Sequence, residues 1–301
     1  PGHAPRLMRR FLVISLGVLV AAVLGGSWYF SNELITQDRR PQELSPAEIP
    51  FAVDGVEVVS DGLTIRGWYV EGSADCGLVF LHGRGMNREQ SIDWTVPFED
   101  FGCHMVLFDH RAMGESDGTF HTFGALERDD GALMLELLLR RADLTPSQVG
   151  LVGASYGGAT ALQMLPDHQD LAFVLADSAY ASMYDVASYQ AEEQFGKAVT
   201  YLVPVTAILS ELRAGFDIQD AAPERTIVGN DVPVLLMHDV DDPYTPFEHS
   251  ERIAAADPDG PLELVPFSGD SDHHQMVRTQ TARYKAIVSA FISDYAPDFS
   301  G

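Results

Sequence analysis

A serine set among small residues, between an apolar run and a helical one, is the first chemistry the sequence offers. Gly153-Ala154-Ser155-Tyr156-Gly157-Gly158 follows the apolar stretch 149–152 and precedes a helix-compatible run over 159–165. G-x-S-x-G between a strand and a helix is the context of a nucleophile held on a sharp turn. The glycines answer a steric demand, because strand and helix can close on such a turn only if the serine's neighbours carry almost no side chain. A serine hydroxyl is a weak nucleophile at neutral pH and needs an imidazole to take its proton. The imidazole in turn needs a carboxylate to orient it.

Acid and base should follow the serine in that order, each after a later strand. His238-Asp239-Val240-Asp241-Asp242-Pro243-Tyr244-Thr245-Pro246 offers three carboxylates. Asp242 is the expected acid, since the proline after it enforces a turn that aims its side chain back across a sheet. Asp239 and Asp241 read as turn hydrogen-bonding groups, and Asp177 is the alternative acid. Gly269-Asp270-Ser271-Asp272-His273-His274 precedes the last helical stretch; His273 is the expected base and His274 the alternative. In Leu81-His82-Gly83-Arg84 the backbone N–H of Arg84, paired with that of Tyr156, would hold an oxyanion, while His82 reads as a structural, hydrogen-bonded residue. No Cys, His or Glu set stands at metal-ligand spacing, so neither a metal nor a cofactor is expected.

These groups need a frame, and the apolar runs supply one. Eight short runs, 56–59, 63–70, 78–82, 105–109, 149–154, 173–177, 234–238 and 262–266, read as strands; amphipathic stretches such as 125–141 and 279–295 lie between most of them. Two leading strands followed by repeated β-α units predict an α/β fold with a largely parallel, eight-stranded sheet and helices on both faces. Residues 182–231 break the rhythm with about fifty residues where about 2–6 suffice for a tight loop. They read as a helical cap over the carboxyl ends of the strands, the place where open α/β sheets bind ligands; a helix pair covering a sheet edge is the other reading.

Composition narrows the partners. The net charge of −25 repels phosphate backbones, which excludes nucleic acid. Phe11 to Phe30 is twenty residues without a charge, preceded by Arg6, Arg9 and Arg10 and closing on Trp28-Tyr29-Phe30. That is one bilayer of helix ending in interfacial aromatics, too long for the apolar region of a cleaved signal. Residues 1–30 are thus expected to be an uncleaved single-pass anchor, its basic flank inside and the catalytic domain extracytoplasmic. A Pro-containing linker over 31–50 and a folded domain over 51–301 follow. Each of the two cysteines stands at the entrance to an apolar strand; if those strands are parallel neighbours, Cys76 and Cys103 come level and can bridge, and otherwise they are buried free thiols. Oligomeric state is not legible.

On these motifs the chain resembles the α/β-hydrolase superfamily from about residue 51 onward, specifically its BEM46-like and ABHD12/13/17-like serine hydrolases, with S9- and S33-type peptidases as relatives. Phe108-Asp109-His110-Arg111-Ala112-Met113-Gly114-Glu115-Ser116-Asp117-Gly118 is similar to the D-x-R-G-x-G-x-S-x-G loop, with Ala112 at a usual glycine. In the family that loop is structural. The stretch from His238 to Pro246 resembles H-G-x-x-D-x-x-V-P, with Asp239 for the glycine and Thr245 for the valine, and points again to Asp242. The Asp272-His273 pair is similar to the final histidine motif. The resemblance implies a Ser-His-Asp hydrolase acting through an acyl-enzyme, with a carboxylic ester or thioester of a lipid-like acyl group as substrate and peptide hydrolysis as the enzymatic alternative. A non-catalytic binding protein on the same fold is the alternative of another class; such proteins lose a triad member or block the pocket.

Overall fold

The computed structural model describes residues 4–45, 47–269 and 273–300. Its strands are β1 Asp54–Ser60, β2 Leu63–Val70, β3 Gly77–Leu81, β4 His104–Phe108, β5 Val149–Ala154, β6 Phe173–Asp177, β7 Val234–Asp239 and β8 Leu262–Phe267. They form one sheet in the order β1-β2-β4-β3-β5-β6-β7-β8. β2 runs antiparallel to β1 and β4, and every other pairing is parallel. The helices, in chain order, are α1 Ala4–Ile35, α2 Ile92–Thr95, α3 Glu127–Ala142, α4 Tyr156–Met164, α5 Met183–Phe195, α6 Val203–Ala214, α7 Pro223–Thr226, α8 Glu248–Ala256, α9 Met276–Thr279 and α10 Thr281–Tyr295.

A parallel strand covered on both faces is apolar at every position, which is why β3, β5 and β6 read as unbroken runs. Their residues divide by parity. Val79 and Leu81 of β3 join Leu151 and the α3 residues Met134, Leu135 and Leu138 in one core. Leu78 and Phe80 join Val152, Phe173 and the α10 residues Tyr284, Val288 and Phe291 in the other. The expected strand limits hold within a residue or two, and the expected architecture is the observed one.

β3 and β4 are parallel neighbours with Gly77 opposite His104, so the residues before them come level, and Cys76 and Cys103 are joined in a disulfide. Of the two states the sequence allowed, the bridged one forms. It closes a loop spanning a sequence separation of 27 that includes the whole of β3 and the core side chains of Trp94 and Phe98.

The long N-terminal helix departs most from expectation. At a rise of 1.5 Å per residue, 32 residues extend about 48 Å, well beyond the ~30 Å hydrocarbon thickness of a bilayer. Its outer part is long and apolar enough to cross a membrane, and Phe11, Leu12, Val13, Ile14 and Leu16 all stand in the open. The last turns instead pack on α6: Ser31 is fully buried and accepts from Arg213 Nη1 at 3.0 Å, and Ser210 Oγ donates to Ser31 Oγ at the same distance. Ile35, also fully buried, belongs to the same core as Val79. Where a linker is expected, the chain is thus helical to residue 35. Beyond it, Arg39 donates to the carbonyls of Gly114 at 3.3 Å and Gly118 at 2.7 Å, and also to that of Ser116.

Replacing Cys76 and Cys103 together by serine should lower the unfolding free energy by about 2–4 kcal/mol, as expected for opening a cross-linked loop of this length. Urea unfolding of the detergent-solubilised protein under oxidising conditions is the measurement, and a change near zero would show that the bridge does not constrain the unfolded chain.

Candidate active site

Ser155 sits between the end of β5 and the start of α4 with φ 51° and ψ −113°, a left-sided backbone conformation that L-residues avoid. The close approach of strand and helix holds it there. A Cβ on Gly157 would fall 2.0 Å from the Leu81 carbonyl oxygen, and one on Gly153 would fall 2.4 Å from the Gly157 backbone. The amide of Ser155 donates to the Asp177 carbonyl at 2.6 Å, and the Ser155 carbonyl accepts the first helical bond, from Ala159, at 3.0 Å.

The three side chains expected to work together meet. His273 Nε2 lies 2.7 Å from Ser155 Oγ, and His273 Nδ1 lies 2.6 Å from Asp242 Oδ2. Asp242 is fixed by the turn its proline starts: Oδ1 accepts the amides of Tyr244 at 2.8 Å and Thr245 at 2.9 Å. Burial pushes its carboxyl up, but hydrogen bonds from His238, His273 and the Thr245 amide outweigh it and hold the group below the usual carboxylate range. His238 is the partner sequence reasoning passed over. It is fully buried, with Nε2 3.4 Å from Asp242 Oδ2 and 2.8 Å from the Thr245 carbonyl, and Nδ1 2.6 Å from Ser250 Oγ. Nε2 thus faces both the Thr245 carbonyl and the Asp242 carboxylate while Nδ1 meets the Ser250 hydroxyl, which fixes the ring in place. The signal for it was the histidine that opens the acid motif.

The alternatives fall elsewhere. Asp177 is buried and accepts from Trp94 Nε1, Tyr284 Oη and Ser178 Oγ at 3.2, 3.1 and 2.9 Å, which turns it away from His273. Burial raises its carboxyl. The His274 ring packs 5.7 Å from Trp94, and burial followed by the charge of His273 brings it down to about 4. Asp239 Oδ1 accepts the amide of Asp241 at 2.9 Å, a turn bond. Asp270 and Asp272, the acidic part of the histidine motif, lie outside the described residues. His82 is fully buried, its Nδ1 2.7 Å from the Gly83 carbonyl and its Nε2 accepting from the His110 amide at 3.1 Å.

The family-like loop is structural here too. Asp109 accepts the amides of Arg88 at 2.7 Å and Glu115 at 2.8 Å, and Arg111 forks onto buried Asp130 at 2.6 and 2.7 Å. Ala112, where a glycine is usual, keeps the left-handed conformation at φ 61° and bears the strain of its Cβ.

Ser155 and His273 open on a cavity of about 500 Å³ that Arg84 and Tyr156 also line. Tyr156 is the first residue of α4, where helical amides have no partner within the helix. The Arg84 guanidinium turns the other way: Nη2 donates to the carbonyls of Glu33 at 2.7 Å and Leu34 at 3.2 Å, so the loop expected to hold the oxyanion is tied to the end of α1. Among the described residues no group of His, Cys, Asp and Glu is arranged to hold a metal ion.

The sheet order, the turn at Ser155 and the cap over the strand ends define an α/β-hydrolase fold. The family model for X-Pro dipeptidyl-peptidases of the S15 family matches residues 82–213, which take in Arg84 and Ser155 and stop short of Asp242 and His273. The uncharacterized Bacillus subtilis protein YqkD is 24% identical over 300 residues, 94% of this chain and 97% of its own. Among solved structures, Pyrococcus furiosus esterase Pf2001 superposes with a TM-score of 0.70 at 19% identity, over 87% of this chain and 98% of the esterase. A Pyrococcus horikoshii acylaminoacyl peptidase superposes at 0.63 and 15% identity, over 81% of this chain and 42% of the peptidase. The chain has the α/β-hydrolase fold, and esterases and peptidases are among its structural neighbours.

Two outcomes test the geometry. Gly157→Ala, which forces a Cβ onto the Leu81 carbonyl, should cost about 3 kcal/mol or more in unfolding free energy; a loss under about 1 kcal/mol in thermal or urea unfolding would show that β3 and α4 can part. For Asp242, a carboxyl lower in the folded than in the unfolded state contributes stability above its unfolded value, and that contribution is lost as pH falls through the folded one. The stability of Asp242→Asn should accordingly fall less steeply than wild type below about pH 4, as read from urea midpoints across an acid series.

Proposed function

We propose that the protein is a serine hydrolase in which Ser155, His273 and Asp242 form the catalytic triad and the backbone N–H groups of Arg84 and Tyr156 hold the oxyanion. The observation that carries this reading is the continuous hydrogen-bonded chain from Ser155 Oγ through both nitrogens of His273 to Asp242, opening on a cavity. Ser155 Oγ attacks an acyl carbonyl carbon while its proton passes to His273 Nε2. The carbonyl oxygen gains the negative charge between the two N–H groups, and Asp242 steadies the imidazolium. Collapse breaks the bond to the leaving group, which takes the proton from His273. A water activated by the same ring then releases the acid and restores the serine.

A carboxylic ester or thioester of an acyl chain is the substrate class this reading favours, because the outer part of α1 is long and apolar enough to span a membrane and the esterase Pf2001 is a neighbour in fold. Peptide hydrolysis is the second reading, favoured by the match to the X-Pro dipeptidyl-peptidase model. The Cys76–Cys103 bridge supports an extracytoplasmic domain, since disulfides persist in oxidising compartments. The open cavity at Ser155 supports an enzyme over a non-catalytic binding protein.

Wild-type protein should react covalently with a fluorophosphonate probe, and Ser155→Ala should lose all labelling and about 10³-fold or more of ester hydrolysis. A folded wild type that takes no label would overturn the reading. Parallel rates on acyl esters and on acylated peptide amides decide between the two substrate classes.

A further inference from the structure

Of the two amides proposed to hold the oxyanion, that of Tyr156 belongs to α4 and is fixed with it. That of Arg84 lies on a loop between Gly83 and Gly85, where the backbone has its greatest freedom. The Gly83 amide is committed to Gln90 Oε1 at 2.7 Å, and Gly85 turns at φ 69°. The Arg84 amide has no acceptor among the described residues, as an oxyanion donor requires. Its direction therefore has to be set by contacts made elsewhere on the loop.

Those contacts come from the N-terminal segment. A helix leaves its last carbonyls without partners of its own, and here the domain takes three of them. The carbonyls of Glu33 and Leu34 accept from Arg84 Nη2 at 2.7 and 3.2 Å, and that of Ile35 accepts the His121 amide at 3.0 Å. Arg84 Nε lies 3.4 Å from His121 Nε2, the guanidinium stands 5.4 Å from the centre of the Phe123 ring, and its charge meets the negative end of the helix dipole. Beyond the helix the chain stays with the same loop. Gln37 packs on Gly85 so closely that a Cβ there would stand 2.9 Å from the Gln37 Cδ. Asn87 Nδ2 donates to the Pro41 carbonyl at 3.0 Å, and the Glu89 carboxylate accepts the amides of Glu43 and Leu44, each at 2.9 Å.

We infer that residues 33–44 are a strap that positions the oxyanion loop, with the Arg84 side chain as its clasp and a positioning residue for the reaction. The inference rests on the hydrolase reading of Ser155. A loop free to drift takes its amide out of line with the charge that develops on the carbonyl oxygen. A misplacement near 1 Å costs up to about 10²-fold in rate, and the outright loss of a donor about 10²–10³-fold. The carbonyl of the bound substrate carries little charge before attack, so the loss falls on kcat and spares KM. The ties that mount the domain on α1 thus also set its rate.

The test uses the full-length protein in detergent micelles, with 4-nitrophenyl butyrate as the ester and an alkyl trifluoromethyl ketone, which closes on a serine as a tetrahedral oxyanion. Arg84→Met keeps the backbone amide and removes the clasp. It should lower kcat about tenfold or more, leave KM within about twofold, and weaken the ketone by a factor similar to the loss in kcat. Arg84→Lys, which returns a cation to the helix end, should recover part of the loss. Glu89→Ala, which frees the far end of the strap without touching Arg84, should lower kcat about threefold or more. A folded Arg84→Met with kcat within about twofold of wild type, or with a loss confined to KM and the ketone unchanged, overturns the strap and leaves the hydrolase standing. If Arg84→Met does not fold, Glu89→Ala decides by the same split. A wild type that cleaves no ester and takes no fluorophosphonate overturns both.

Discussion

The Leu81 carbonyl of β3 occupies the space a side chain on Gly157 would need, and the rest of the site depends on that approach. It lets α4 begin directly beneath the strand ends, which in turn holds Ser155 in a backbone conformation that lifts its hydroxyl out of the sheet. Any atom added at Gly153 or Gly157 would part helix from strand, and the 2.7 Å bond to His273 would open with them. The strain at Ser155 persists because neighbours on both sides over-determine it: the amide is bound to the next strand and the carbonyl is committed to the helix.

Around that turn, charge is arranged with little freedom. Asp242 takes two amides on one oxygen and two imidazoles on the other, so the carboxylate has no rotation left and His273 receives a single orientation. His238 shares the load: bound to Ser250 and to the Thr245 carbonyl, its ring is held against the Asp242 carboxylate. His274 shows what burial does to an imidazole one residue away, since desolvation takes its charge and leaves it a wall.

What the sequence disclosed follows from how locally each feature is encoded. β5 and β6 were legible to their limits, because a buried strand must be apolar along its length and turn residues bound it. Ser155, Asp242 and His273, which the structure brings within hydrogen-bonding reach of one another, were legible for a related reason, each lying after a strand in a short motif. The fate of Cys76 and Cys103 was not, because it depends on which strands are neighbours, a property of the whole sheet. The end of α1 was the least visible. Gly25, Gly26 and Ser27 fall in the uncharged run read as an anchor and Ser31 in the expected linker, whereas Ser27 and Ser31 are buried, Ser31 against the cap, and Arg39 sits in a polar stretch whose carbonyl partners lie more than seventy residues away.

The burial of Ile35 and the grip of Arg84 on the last carbonyls of α1 mean that the domain has no swivel. A domain on a loose linker would sample every tilt about its N-terminal helix; this one is a bracket with a set angle. Its distance from the outer, apolar part of α1 is then fixed by helix geometry, at about 1.5 Å for each residue between that part and Leu34. Lengthening the helix by a few residues would change both that distance and, at about 100° of turn per residue, the direction the domain faces.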